Sequence, residues 1–181
     1  MAKIIKNGAV HDDAWQVVRL AEGEDVTPQT VALPEGPLLV PLAVWQERRA
    51  ELLARQQQHG WPLGVWLAPD EGPEHIANDL DLFEVIGIDF PKFVDGRGYS
   101  TARLLRSRYN YAKELRSIGD VQRDQLFYQR RVGFDAFAVR ADHDITAALH
   151  SLNDFSAAYQ FSTDRNIDLQ RRTVLSAADA H

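Results

Sequence analysis

With 181 residues, 45% of them hydrophobic and 25% charged, the chain has the make-up of an ordinary soluble globule, long enough to bury the core of one α/β domain with a small appendage. A formal net charge of -6 argues against a nucleic-acid or anionic-membrane surface as the main role, while leaving room for a local basic pocket. The absence of cysteine excludes disulfides, thiol redox catalysis, cysteine nucleophiles and thiolate-held zinc or iron–sulfur groups.

The opening MAKIIKNGAVHDD has no signal-peptide apolar region, and no apolar run reaches the roughly 18 residues a membrane span needs, so a cytoplasmic location is the default expectation. Lys3–Val10 and Ala14–Leu20 read as two short strands around a polar turn at Asn7-Gly8 or at His11–Asp13. Glu22–Gly36 is acidic and proline-punctuated, which suits a linker or an extended edge. Residues 1–36 are therefore expected to form an N-terminal β-hairpin and linker, 37–160 an α/β domain and 161–181 a polar tail.

Within the α/β domain, short apolar runs alternate with helix-length segments. The strands are expected at Pro37–Leu42, Gly64–Ala68, Val85–Phe90, Glu114–Ile118 and Ala136–Arg140. Between and after them, helices are expected at Val44–Gln58, Glu74–Leu82, Tyr99–Tyr109, Val121–Val132 and Asp144–Phe155, the first ended by a left-handed Gly60. Strands joined through helices run parallel, so their outgoing loops share one rim. Five such units are too few for a closed eight-stranded barrel. An open, mainly parallel sheet flanked by helices is the expected architecture, with a half-barrel as the rival and a homodimer as one way to cover it.

The shared rim collects Asp89, Asp95, Arg97, Gly119, Asp120, Arg140 and Asp142. In Asp95-Gly96-Arg97-Gly98-Tyr99-Ser100, Gly96 and Gly98 permit a tight turn or close approach, Ser100 can cap the next helix, and Arg97 offers a planar donor fork to an oxyanion. The competing reading pairs Asp95 with Arg97 or with neighbours and makes the loop structural. This run satisfies neither GxGxxG nor GxxxxGK[ST], so no cofactor is implied by a motif. Arg116, Gly119 and Asp120 form the second loop, with Arg116 snorkelling from the sheet or reaching the rim and Asp120 either capping a helix or serving as a rim carboxylate. Asp89, late in an apolar strand, needs a partner, for which Lys92, Arg97 and Arg116 are the candidates. Asp89, Asp95 and Asp120 are thus the catalytic candidates; Arg97, Gly96, Gly98, Ser100, Arg116 and Gly119 are the ligand-binding ones. Asp135 reads as a turn device, and the six scattered histidines show no metal-ligand spacing, with His143 alone near the rim. Arg103, Arg106, Arg108, Arg130 and Arg131 are expected on the outer helical layer, either solvated or facing an acidic partner.

F-x-D-G-R-G-x-S, L-R, G-D-x-x-x-D-Q and G-F-D-A-F occur in that order between about Pro62 and Gln160. This run resembles the bacterial family called domain of unknown function 934, whose members are described as predicted oxidoreductases involved in sulfite reduction. The resemblance implies a cytoplasmic setting beside sulfite reductase and brings no catalytic residues with it. Without cysteine, an oxidoreductase here needs a borrowed flavin, nicotinamide or partner's redox centre. The expected function is an accessory protein or oxidoreductase of sulfite reduction that binds an oxyanion or phosphate-bearing ligand at the rim. Its rivals are a non-enzymatic assembly module for sulfite reductase and, more weakly, a metal-assisted hydrolase or lyase using the three aspartates.

Overall fold

A computed structural model of the chain describes residues 2–20, 26–92 and 95–152. The proposed tail at 161–181, the end of the last helix at Phe155 and the first part of the linker lie outside the described residues. The protein is α/β, with one eight-stranded sheet, four α-helices and two 3-10 turns among the described residues.

The chain opens on an antiparallel pair, β1 (Ala2–Lys6) and β2 (Ala9–Asp13). Asn7 and Gly8 join them with φ of 50° and 77°, the left-handed pair that a two-residue hairpin demands. Asn7-Gly8 is therefore the turn, and His11–Asp13 belongs to β2. The expected second strand at Ala14–Leu20 shrinks to β3 (Gln16–Val17), which leaves the hairpin and pairs parallel with β4 (Leu38–Pro41).

α1 (Leu42–His59) follows β4 directly and stops at Gly60, whose φ of 68° lets its N–H reach the Gln56 carbonyl. The segment before β4 is pinned to α1, because Arg48 donates to the Val31 carbonyl and Arg55 to those of Leu33 and Pro34. β5 (Leu63–Leu67) leads to 3-10 turns at Pro73–Ile76 and Leu80–Leu82, where one short helix was expected. Then come β6 (Val85–Phe90), α2 (Arg97–Ser107), β7 (Glu114–Gly119), α3 (Arg123–Val132), β8 (Ala136–Phe137) and α4 (Ile145–Ser151). β8 also pairs antiparallel with β1, which attaches the hairpin to the sheet.

The strand order is β2-β1-β8-β7-β6-β5-β4-β3, with β3 to β8 parallel and in chain order. An order that never reverses puts every right-handed crossover on the same face. The sheet therefore curls as a half-barrel, and the helices line its outer side. Period-two alternation sorts the strand residues accordingly. Leu38, Val40, Val65, Leu67, Ile86, Ile88, Leu115 and Phe137 join Trp45, Leu52, Leu105, Leu126 and Ala148 of the helices in one core. Leu39, Val85 and Ile118 form a second cluster on the inner face with Trp15, Trp66 and Ala138.

The curl is tight. β2 and β3 occupy opposite edges of the sheet, yet only Ala14 and Trp15 separate them, a reach of about 11 Å at most over three Cα steps. Gly64 and Gly87 make room for what this crossing lays on the inner face. A Cβ on Gly64 would come within 2.8 Å of Leu39 and of the Val85 carbonyl and 3.1 Å of Trp15, and one on Gly87 within 2.9 Å of Trp66 Cβ. Gly87→Ala is accordingly expected to cost about 1–3 kcal/mol in urea unfolding, as overpacking does; an unchanged midpoint would show slack on the inner face that the structure does not contain.

Candidate functional site

The C-terminal ends of β3 and β5 to β8 open on one rim, where strand–helix folds place ligands. Asp89 is the penultimate residue of β6 and only 6% exposed. Its partner is none of the three expected. Arg19, just beyond β3, donates a 2.8 Å hydrogen bond to Asp89 Oδ1 and lies 5.1 Å over the Trp66 ring, while Trp66 Nε1 donates to the Val18 carbonyl at 2.9 Å. The curl that brings β3 round the sheet delivers Arg19. Lys92 and Arg97 lie beyond the strand end, and Arg116 is engaged elsewhere.

Arg97 and Asp95 pair with one another. Arg97 Nε and Nη2 donate to the two carboxylate oxygens at 3.0 and 2.7 Å, and the Arg97 N–H adds a 3.2 Å bond. These bonds from Arg97 hold the Asp95 carboxyl below the usual carboxylate range. The Arg97 side chain is 62% exposed, Nη1 takes no part in the Asp95 pairing, and the nearby charge of Asp70 also favours the guanidinium. α2 begins at Arg97, two residues earlier than expected, so Ser100 lies within its first turns and is not the cap. The cap position is Gly96, which makes no side-chain cap bond, and the first turn holds no acidic residue.

Two of the glycines expected to approach a ligand are required by packing. A Cβ on Gly98 would press to 2.8 Å from Phe90 and 2.9 Å from Ile88, because α2 lies close against β6. Gly119 has φ of 92°, and a Cβ there would stand 2.5 Å from the Phe90 carbonyl oxygen and 2.6 Å from Asp89 Oδ1. Gly96 has open space and needs neither.

Arg116 is not at the rim. On β7 it points to the inner face, where its 3% exposed side chain donates to Glu114 through Nε at 2.7 Å and to both Asp13 oxygens at 2.9 and 3.0 Å. Glu114 in turn takes Lys6 at 2.6 Å. Buried Glu114, Arg116 and Asp13, with the partly exposed Lys6, thus make a continuous ion network across β1, β7 and the end of β2. The Glu-x-Arg spacing within a strand places both side chains on one face, and this is the signal that could have turned Arg116 inward. Arg19 and Asp13 carry no such local signal.

Asp120 is not the cap of α3. Gln122 takes that place in a reciprocal capping box with Gln125. Asp120 is a rim carboxylate that receives Arg140 Nη1 at 2.9 Å and Gln122 Nε2 at 3.1 Å. Arg140 also grips both oxygens of Asp142, and its hydrogen bonds hold that carboxyl down to about 2. His143 Nε2 lies 3.9 Å from Asp142 Oδ1. Asp89, Asp95 and Asp120 are thus held by three different arginines, and no group of three or more His, Cys, Asp or Glu residues among the described ones is placed to hold a metal ion.

Arg106 is a structural clamp, not part of a solvated face. It donates to the carbonyls of Gly133, Tyr111 and Lys113 at 2.9, 2.5 and 2.7 Å and to Asp135 at 2.8 Å. Asp135 receives the Leu115 N–H as well; burial raises its carboxyl, and Arg106 opposes that shift. The turn role expected for Asp135 is therefore a tie between β7, α2 and the approach to β8.

A family model described as bacterial protein of unknown function, DUF934, matches residues 64–169. The chain belongs to this family. The matched stretch contains the Asp95–Ser100 and Arg116–Asp120 loops and Arg140, whereas Lys6, Asp13 and Arg19, which complete the ion pairs of Glu114, Arg116 and Asp89, precede it. No curated protein matches the chain. Among the described residues, no helix is long and apolar enough to cross a membrane. Within the DUF934 stretch the two arginines expected to act together have separate tasks, which mutation distinguishes. Arg116→Met leaves the buried Asp13 without its cation and Glu114 with Lys6 alone, and is expected to cost about 3–5 kcal/mol in urea unfolding; Arg97→Ala is expected to leave the unfolding midpoint where it is.

Proposed function

We propose that the chain is an accessory protein of sulfite reduction that holds a small oxyanion, or the phosphate of a larger ligand, at the rim where Arg97 opens α2. The setting rests on the resemblance, whose family members are described as predicted oxidoreductases of sulfite reduction, and in this reading sulfite reductase is the partner. One observation carries the site. Asp95 takes Nε and Nη2 of the Arg97 guanidinium and leaves Nη1 outside that pairing, on a largely exposed side chain at the start of a helix with no acid in its first turn. An arginine oriented in this way loses little side-chain freedom when an anion binds its other edge, and the helix N-terminus favours the same charge.

Asp95 is the orienting residue in this reading, and its charge keeps the affinity for simple anions modest. Arg140 and Arg19 are tied to rim carboxylates and play supporting parts. Electrons for any reduction come from a bound flavin or nicotinamide, or from the partner, since the chain has no cysteine.

A thermal-shift series with sulfite, sulfate, phosphate, flavins and NAD(P)H tests the reading. A ligand at about 100 times its Kd stabilises the native state by about 2.7 kcal/mol, a shift of a few degrees. One of these ligands is expected to give that shift in the unaltered chain and none in Arg97→Ala. A shift that survives the substitution places the site elsewhere, and no shift with any ligand contradicts the proposal.

A further inference from the structure

Among the described residues three large hydrophobic side chains are exposed, Val17, Leu104 at 39% and Tyr128 at 63%. Leu104 and Tyr128 belong to α2 and α3, which pack on one another outside neighbouring parallel strands. The outward side of α2 carries Ser100, Arg103, Leu104 and Ser107, with Arg108 just after it, spaced as helix neighbours are; that of α3 carries Asp124 and Tyr128 one turn apart.

The charge on these helices is lopsided. α2 with Arg108, together with α3, holds seven arginines against one carboxylate, Asp124, in a chain whose net charge is -6. Arg97, Arg106 and Arg123 have carboxylate partners in Asp95, Asp135 and Asp124. Arg103 and Arg108 are exposed, Arg130 is half-buried, and none of the three pairs with a carboxylate among the described residues; Arg108 lies over Tyr109 and Arg130 over Phe127.

We propose that this α2–α3 face docks a protein whose surface presents carboxylates around an apolar recess that receives Tyr128. Exposed tyrosine beside arginine is the combination that concentrates binding energy at protein interfaces, and arginines with no carboxylate partner among the described residues of an otherwise acidic chain call for carboxylates. A twofold contact with a second copy through this face would bring two arginine-rich surfaces of like charge together. A polyanionic nucleic acid is repelled by the net charge and finds few phosphate contacts here. Arg103, Leu104 and Arg108 follow Arg97 by about one and a half turns or more along α2, and the test below leaves Arg97 unaltered, so either proposal stands or falls without the other.

Photocrosslinking tests the docking face. The whole chain is expressed in a bacterial host with p-benzoylphenylalanine in place of Tyr128, and in a control with it in place of Gln57, an exposed residue of α1. The expected result is an adduct at position 128, absent at 57, to a protein surface dense in Asp and Glu. Arg103→Glu with Arg108→Glu is expected to reduce that adduct about tenfold or more while leaving the thermal midpoint unchanged. An adduct that survives charge reversal, an adduct to nucleic acid or to a second copy, or no adduct above the control each overturns the proposal.

Discussion

Two residues, Ala14 and Trp15, are all that separate the strands at opposite edges of the sheet, and this shortness sets the shape of the molecule. A chain that must pass from β2 to β3 in so few steps can do so only if the sheet rolls until its edges approach. The roll then fills its own inner face. Trp15 and Trp66 lie over Gly64 and Gly87, Val18 enters the outer core, and Asp13 reaches Arg116 in the middle of β7. Charges so deeply buried are tolerated because each has a geometrically good partner: the Arg116 guanidinium is shared between Glu114 and Asp13, and Glu114 has Lys6 for its other oxygen.

Closure also decides what the rim can offer. With the inner face occupied, chemistry is left to the C-terminal strand ends, and there Arg19–Asp89 and Arg140–Asp120–Asp142 are self-satisfied ion pairs. Arg97 differs because its partner, Asp95, takes a single edge and its side chain stays largely in water. The outer helical layer offers a different kind of surface, where Arg106 is consumed by carbonyls and Asp135 while Arg103 and Arg108 remain exposed.

Much of the scaffold is legible in the sequence because its determinants are local. Val85–Phe90 is a short, largely apolar run bounded by polar loops, Leu115 and Ile118 mark the strand that follows, Asn7-Gly8 admits one kind of turn, and Gly60 ends α1 by adopting a conformation that side chains resist. Cap positions slip by four residues and by two, since Ser100 and Asp120 carry the right groups while the caps fall at Gly96 and Gln122. Long-range pairing is where reading residue types along the chain stops. Treating the first 36 residues as a separate hairpin and linker hides Asp13 and Arg19, whose partners lie 103 and 70 positions away. Arg116 then looks available for a ligand although it is already spoken for. The choice between an open sheet and a half-barrel turns on the same crossing.

The crossing is open to direct observation by NMR. In a selectively labelled sample, a nuclear Overhauser contact between the Trp15 ring and the Gly64 α-protons is expected, since Trp15 Cζ3 stands 3.1 Å from where a Gly64 side chain would begin. Upfield-shifted Gly64 α-protons should accompany it. A Trp15 ring with no contact to Gly64, and Gly64 α-protons at ordinary shifts, would mean that the sheet stays open and that its inner face, not only its rim, is available to ligands.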